Sequence, residues 1–119
     1  MIAFEPFLDA ELRGGFRITA IAFAEGSLVD PIGREALART SISGNKFRLL
    51  LRRGLSDEEL SVTLFHEVLE AATVAGRSCP AAVVDFNEGD FEREARVAHK
   101  HFGAASPENL NRMLQQFGF

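Results

Sequence analysis

Ser56-Asp57-Glu58-Glu59-Leu60-Ser61-Val62-Thr63-Leu64-Phe65-His66-Glu67-Val68-Leu69-Glu70-Ala71-Ala72-Thr73-Val74-Ala75-Gly76 is the most strongly patterned run in the chain. Ser56 with Glu59 three residues on forms a capping box, in which each side chain satisfies a backbone N–H that the first helical turn leaves open. Leu60, Leu64, Phe65, Val68, Leu69 and Ala72 recur at helical spacing and make one broad apolar stripe, and Gly76 supplies the stop. The run therefore predicts a long amphipathic helix buried along one side.

Upstream, the pattern changes to that of strands. Phe16 to Ala24 carries Phe16, Ile18, Thr19, Ile21 and Phe23, apolar on both faces, as in the middle of a sheet. Glu35 to Ser43 and Lys46 to Arg52 flank Gly44-Asn45, a hairpin signal, with Asp30-Pro31-Ile32-Gly33 turning the chain before them. The second arm alternates Phe47, Leu49 and Leu51 with Lys46, Arg48 and Arg52, and its wet face suggests an edge strand guarded by charge. At the start of the chain, Pro6 can open a short helix through Phe7, Leu8 and Leu12 that Gly14-Gly15 ends. Downstream, a loop with Cys79-Pro80 precedes a second helix, capped within Asp85 to Asp90 and closed by Gly103 after Phe102. Ser106-Pro107 opens a third, to about Phe117. Met113, Leu114, Phe117 and Phe119 then form an apolar end expected to dock on the core.

Composition bounds the rest. With 119 residues, 46% of them hydrophobic, the chain is expected to form a single domain, 1–119, with a core that needs no disulfide or metal staple. Its longest uncharged apolar stretch, Ile18 to Ala24, is too short to cross a bilayer, and acidic Glu5 stands where a secretory leader would be basic. A soluble, cytoplasmic protein is the expectation. The one cysteine, Cys79, has no ligand-spaced partner and reads as a bystander. A net charge of −4 with no basic run longer than Arg52-Arg53 argues against nucleic acid as a partner. Gly26 and Gly33 are isolated, so no phosphate-binding loop is present, and Ser41, Ser43 and Ser61 lack the context of a nucleophile.

Chemistry enters with His66-Glu67-Val68-Leu69-Glu70. His66 and Glu70 lie one turn apart on one helix face, with β-carbons about 5–6 Å from one another, so both can reach one cation. Glu67 is offset by one residue, where it can hold a water.

From Lys46 through His66, Glu67 and Glu70, the chain resembles the edge strand, acidic cap and active helix of small gluzincin-type metallopeptidases of the ImmA/IrrE kind. A degenerate His-Glu-x-x-Glu stands here in place of His-Glu-x-x-His. Phe91-Glu92-Arg93-Glu94-Ala95 matches the family's Glu-x-x-Ala element, and Ser106-Pro107-Glu108-Asn109-Leu110 the segment after it. The resemblance covers about residues 40 to 117. It implies a zincin-like α+β fold, with a small twisted sheet from residues 16 to 52 packed by the metal-site helix and two later helices. It also implies that His66, Glu70 and Glu92 are metal ligands, with Glu94 the fallback for Glu92, and that Glu67 is the general base of peptide hydrolysis. A peptide or protein segment would lie along edge strand 46–52.

Two departures from the family have physical consequences. Glu70 in place of histidine gives a set with two carboxylates, which nearly neutralises Zn²⁺, weakens its acidification of water and favours harder ions such as Mn²⁺ or Mg²⁺. Arg96 stands where the family commonly has Asp or Asn. Its guanidinium can replace the metal among Glu67, Glu70 and Glu92 and leave a closed, metal-free site, or stand in a second layer behind the ligands. The function expected is thus a metal-dependent peptidase, or a catalytically inactive pseudo-peptidase that keeps the fold as a binding or regulatory module. An unrelated interaction domain is a third option. His99, two turns beyond Glu92, can border the pocket or sit, like His101, on a solvated helix face.

Overall fold

The computed structural model of the chain describes residues 2–29, 33, 35–76 and 78–119. In chain order a 3-10 turn (Glu5–Phe7) leads to β1 (Glu11–Leu12), β2 (Phe16–Phe23), β3 (Ala38–Ser43), β4 (Lys46–Leu51), α1 (Asp57–Ala75), α2 (Glu88–Phe102) and α3 (Pro107–Gln116). The class is α+β, a four-stranded mixed sheet with three helices. None of the described helices is long and apolar enough to cross a membrane.

α1 forms where its capping box places it. Ser56 Oγ accepts the Glu59 N–H at 3.1 Å, and Glu59 Oε1 accepts the Ser56 N–H at 3.2 Å. All six expected stripe residues are buried, and so are Ser61, Val62, Thr63 and Ala71. The helix is covered on more than one side because the sheet, α2 and α3 all pack around it. Asn87 and Asp90 form a second capping box for α2, and Ser106 caps α3. Leu110, Met113, Leu114 and Phe117 complete the core against α1, with Phe119 packed on it, so the apolar C-terminal end docks inward as expected.

The strand order is β1-β2-β4-β3, with β2 and β4 parallel and the other pairs antiparallel. This corrects the position expected for 46–52. β4 alternates buried Phe47, Leu49 and Leu51 with exposed Lys46 and Arg48, but it lies inside the sheet, whose edges are β1 and β3. Alternation reports which face of a strand meets the core, not whether both of its sides are paired. Ser43 and Lys46 close the β3–β4 hairpin around Gly44, whose φ of 62° at the first turn position fits a type II′ turn. β3 begins at Ala38 rather than Glu35, which makes only an isolated bridge with Val29. Apart from Gly33, the turn expected at Asp30-Pro31-Ile32-Gly33 falls outside the described residues.

The N-terminal segment also differs from expectation. Only Glu5–Phe7 is helical; Leu8 is extended, Asp9 has φ 58°, and Leu12 pairs with Phe16 in a tight hairpin. The Gly14-Gly15 pair that would have ended a helix instead makes this hairpin turn, with φ of 87° and 83°. A β-carbon on Gly14 would stand 2.6 Å from the Phe16 ring, whereas one on Gly15 would meet nothing within 4 Å. Gly15→Ala is therefore expected to cost about 1 kcal/mol through its left-handed backbone alone. Gly14→Ala, which adds the collision with a core ring, should cost roughly 3 kcal/mol. Urea-unfolding midpoints of the two variants check this order.

Candidate metal centre

The helix period brings His66, Glu67 and Glu70 to the side of α1 that faces β3 and the first turns of α2. His66 sits at the middle. Its side chain is 12% exposed, its ring lies 6.2 Å from that of Phe91, and each nitrogen meets a carboxylate. Nδ1 lies 2.9 Å from Glu92 Oε1. Nε2 lies 2.9 Å from Glu88 Oε2, 3.3 Å from Glu70 Oε2 and 4.0 Å from Glu67 Oε2. Glu67, 13% exposed, is held from the other side by edge strand β3, whose Thr40 hydroxyl donates to Glu67 Oε1 at 2.9 Å.

This geometry divides the expected ligand set. His66, Glu67 and Glu70 each offer an atom within 4.8 Å of the others. Glu92 does not join them, because it binds the nitrogen on the opposite side of the ring. Glu92, expected as the third ligand, thus stands outside the group of His66, Glu67 and Glu70. The Nε2 side instead receives Glu88, one turn earlier on α2 and the first residue of that helix. Sequence reading treated Asp85 to Asp90 as a source of caps and passed over Glu88. The available signal was its spacing of four from Glu92, which sets both acids on one helix face. The fallback, Glu94, lies elsewhere, 3.5 Å from the Arg93 guanidinium.

Arg96 reaches one of the three carboxylates expected for it and stands behind His66 as a second-layer partner. It pairs with Glu92 Oε2 at 2.8 Å, with its side chain 64% exposed, and does not occupy the space beside Nε2. Among the described residues no arginine lies beside Nε2. His99 does not border it: His99 Nδ1 lies 2.7 Å from Ser61 Oγ, which also accepts the Ala105 N–H at 2.8 Å. That pair ties α1 to the α2–α3 connection. His99 lines a separate groove of about 470 Å³ with Glu58, Val62, Arg96 and Lys100. His101 packs edge-on against Phe102.

The carboxylates and the ring set each other's protonation. Burial pulls the His66 pKa down, but hydrogen bonds to Glu70 and Glu92 and the charges of Glu67 and Glu88 outweigh it and push it up to about 9. Burial raises Glu67, against the Thr40 hydrogen bond and the His66 charge that lower it. Glu70 and Glu88 share a hydrogen bond and titrate as a pair. The bond from His66 holds Glu70 below the usual range, while loss of water and then Glu70 itself push Glu88 up to about 7. Four acids around one imidazole and one guanidinium leave negative charge in excess, which protons or a cation must offset.

Among the described residues, the group whose ligand atoms lie close enough together to hold an ion is His66, Glu67 and Glu70. The Nδ1–H would meanwhile be donated to Glu92, the arrangement that fixes tautomer and ring orientation in many metal-binding histidines. No protein-family model, curated protein or solved structure matches this chain.

In the metal-free protein the raised His66 pKa links stability to pH. His66 is charged below its unfolded value of about 6.5, where its contribution is complete, and that contribution is lost as pH climbs through about 9. Glu88 and Glu67, also raised, act in the same direction. Stability should fall by roughly 3 kcal/mol between pH 6.5 and 9 from His66 alone. Denaturant unfolding across that range in the presence of chelator measures it, and His66→Gln should flatten the profile.

Proposed function

We propose that this chain is a zincin-like, metal-dependent peptidase. The observation that carries the reading is His66 Nε2 facing Glu70 and Glu88 while Nδ1 is anchored on Glu92, beside a buried glutamate that belongs to neither pair. His66, Glu70 and Glu88 would hold the ion. The oxygen-rich set admits Mn²⁺ as well as Zn²⁺. When bound, such an ion supplies a Lewis-acidic centre that acidifies water and polarises a peptide carbonyl.

Glu67 is the residue suited to move the proton. Burial raises its pKa above the usual carboxylate range, Thr40 fixes one of its oxygens, and the other points to the His66 side. In this role it accepts a proton from water and passes it to the leaving amine. Phe91 and the helix packing shield the side of the ring away from solvent.

The substrate would lie along β3, a true sheet edge. The Arg52 N–H donates to Leu37 O, and continuing this register along the β3–β4 ladder turns the backbone groups of Ala38, Thr40 and Ile42 outward. An extended peptide can pair with them, and Thr40 brings that edge to hydrogen-bond distance of Glu67.

A second observation favours the pseudo-peptidase reading. Charged His66 is itself a cation that satisfies the surrounding acids without any ion. One experiment separates the two. Elemental analysis of protein purified without chelator, with thermal shift in Zn²⁺ and Mn²⁺, should find about one ion per chain. Glu88→Ala should weaken affinity about tenfold or more, whereas Glu67→Gln should keep the ion and lower peptide hydrolysis by at least about 100-fold. No bound ion and no shift at millimolar metal would leave the inactive module as the function.

A further inference from the structure

The chain is acidic overall, yet its central strands are not. β2, β3 and β4 contain Arg17, Arg39, Lys46 and Arg48 and no aspartate or glutamate. Strand geometry gathers all four on the sheet face turned away from the helices. Phe47, Leu49 and Leu51 of β4 point into the protein, so Lys46 and Arg48 point out. Arg17 is the register partner of Lys46, and Arg39 the partner of Leu50, which is on the same face as Arg48.

The four cations run diagonally across three strands. Paired residues on neighbouring strands are about 5 Å apart, and alternate residues along one strand about 7 Å. Arg39, Lys46 and Arg48 are exposed, and none of the described carboxylates forms an ion pair with any of the four. Arg17 donates to the Asp9 carbonyl at 2.8 Å. Among the described residues, acids stand at the margins, with Glu11 opposite Arg17 on β1 and Glu35 paired with Arg52 at 2.8 Å. Ser41 and Ser43, exposed on the same face, add hydroxyls.

We infer that this open sheet face binds an acidic, extended segment of a partner protein. An extended peptide carries alternate side chains about 7 Å apart, so every second Asp or Glu can meet a cation of this row. Arginine also suits carboxylates through its paired N–H donors. Single-stranded nucleic acid is disfavoured because the face offers no aromatic ring for base stacking; Phe16 and Phe47 are buried on the other side. An anionic bilayer is disfavoured because Leu50, the one large apolar side chain of β3 and β4 on this face, is half-buried. The inference does not depend on the metal centre, which lies among the helices and the edge strand.

The test is fluorescence anisotropy of a labelled twelve-residue peptide of alternating Glu and Ser, at low salt, with the full chain. Binding is expected, weakening steeply as salt rises. Lys46→Glu with Arg48→Glu should reduce affinity about tenfold or more. Lys100→Glu with Arg112→Glu makes the same charge change on the helical side and should leave affinity within about twofold. Circular dichroism melts confirm that both variants fold. Absence of peptide binding, equal losses in the two double variants, or tighter binding of a thymidine oligonucleotide or phosphatidylserine vesicles would each overturn the inference.

Discussion

A helix covered on several sides must satisfy every polar group it carries, and α1 is such a helix. Burial of Leu60, Leu64, Phe65, Val68 and Leu69 draws it between the sheet, α2 and α3. Ser61, His66 and Glu67 are drawn in with them, and each finds partners on a different neighbour. Ser61 holds the α2–α3 connection, Glu67 takes the hydroxyl of β3, and His66 bridges to two acids of α2. Among the described residues no buried side-chain nitrogen or oxygen lacks a partner. The candidate centre is thus a consequence of how the core is assembled.

The charge at that centre explains why its role turns on protonation. Neutral His66 would be free to act as a ligand with its second nitrogen held by Glu92, whereas charged His66 is the counter-ion of the same acids. Glu92 and Arg96 serve either state, because their ion pair sits behind the ring and outside the space beside Nε2. Glu70 and Glu88 share a proton instead, and their opposed pKa shifts express the repulsion between like charges.

Two features escaped the sequence for the same reason: they depend on which strands and helices become neighbours. The alternation of Lys46 to Arg52 was legible, but its two-sided pairing was not, because β4 inserts between β2 and β3 only after the hairpin folds back parallel to β2. The cationic face stayed hidden too, since its residues are separated by apolar ones along each strand and never form a run. Leu12 reads as helical in the sequence because a Gly-Gly pair stops helices and turns hairpins alike, and only pairing with Phe16 distinguishes them.

What the sequence by itself determined is local. The capping boxes, the buried stripe of α1, the three helices with their stops and the proximity of His66 to Glu70 all follow from spacing along one chain segment. Tertiary structure alone decided which acid of α2 meets which nitrogen of His66. Glu88 and Glu92 share one helix face and one chemistry, so their assignment depends on the height at which α2 crosses α1. That height is set by the packing of Phe91, Ala95 and Ala98 in the core, a contact between segments that no spacing within either helix encodes.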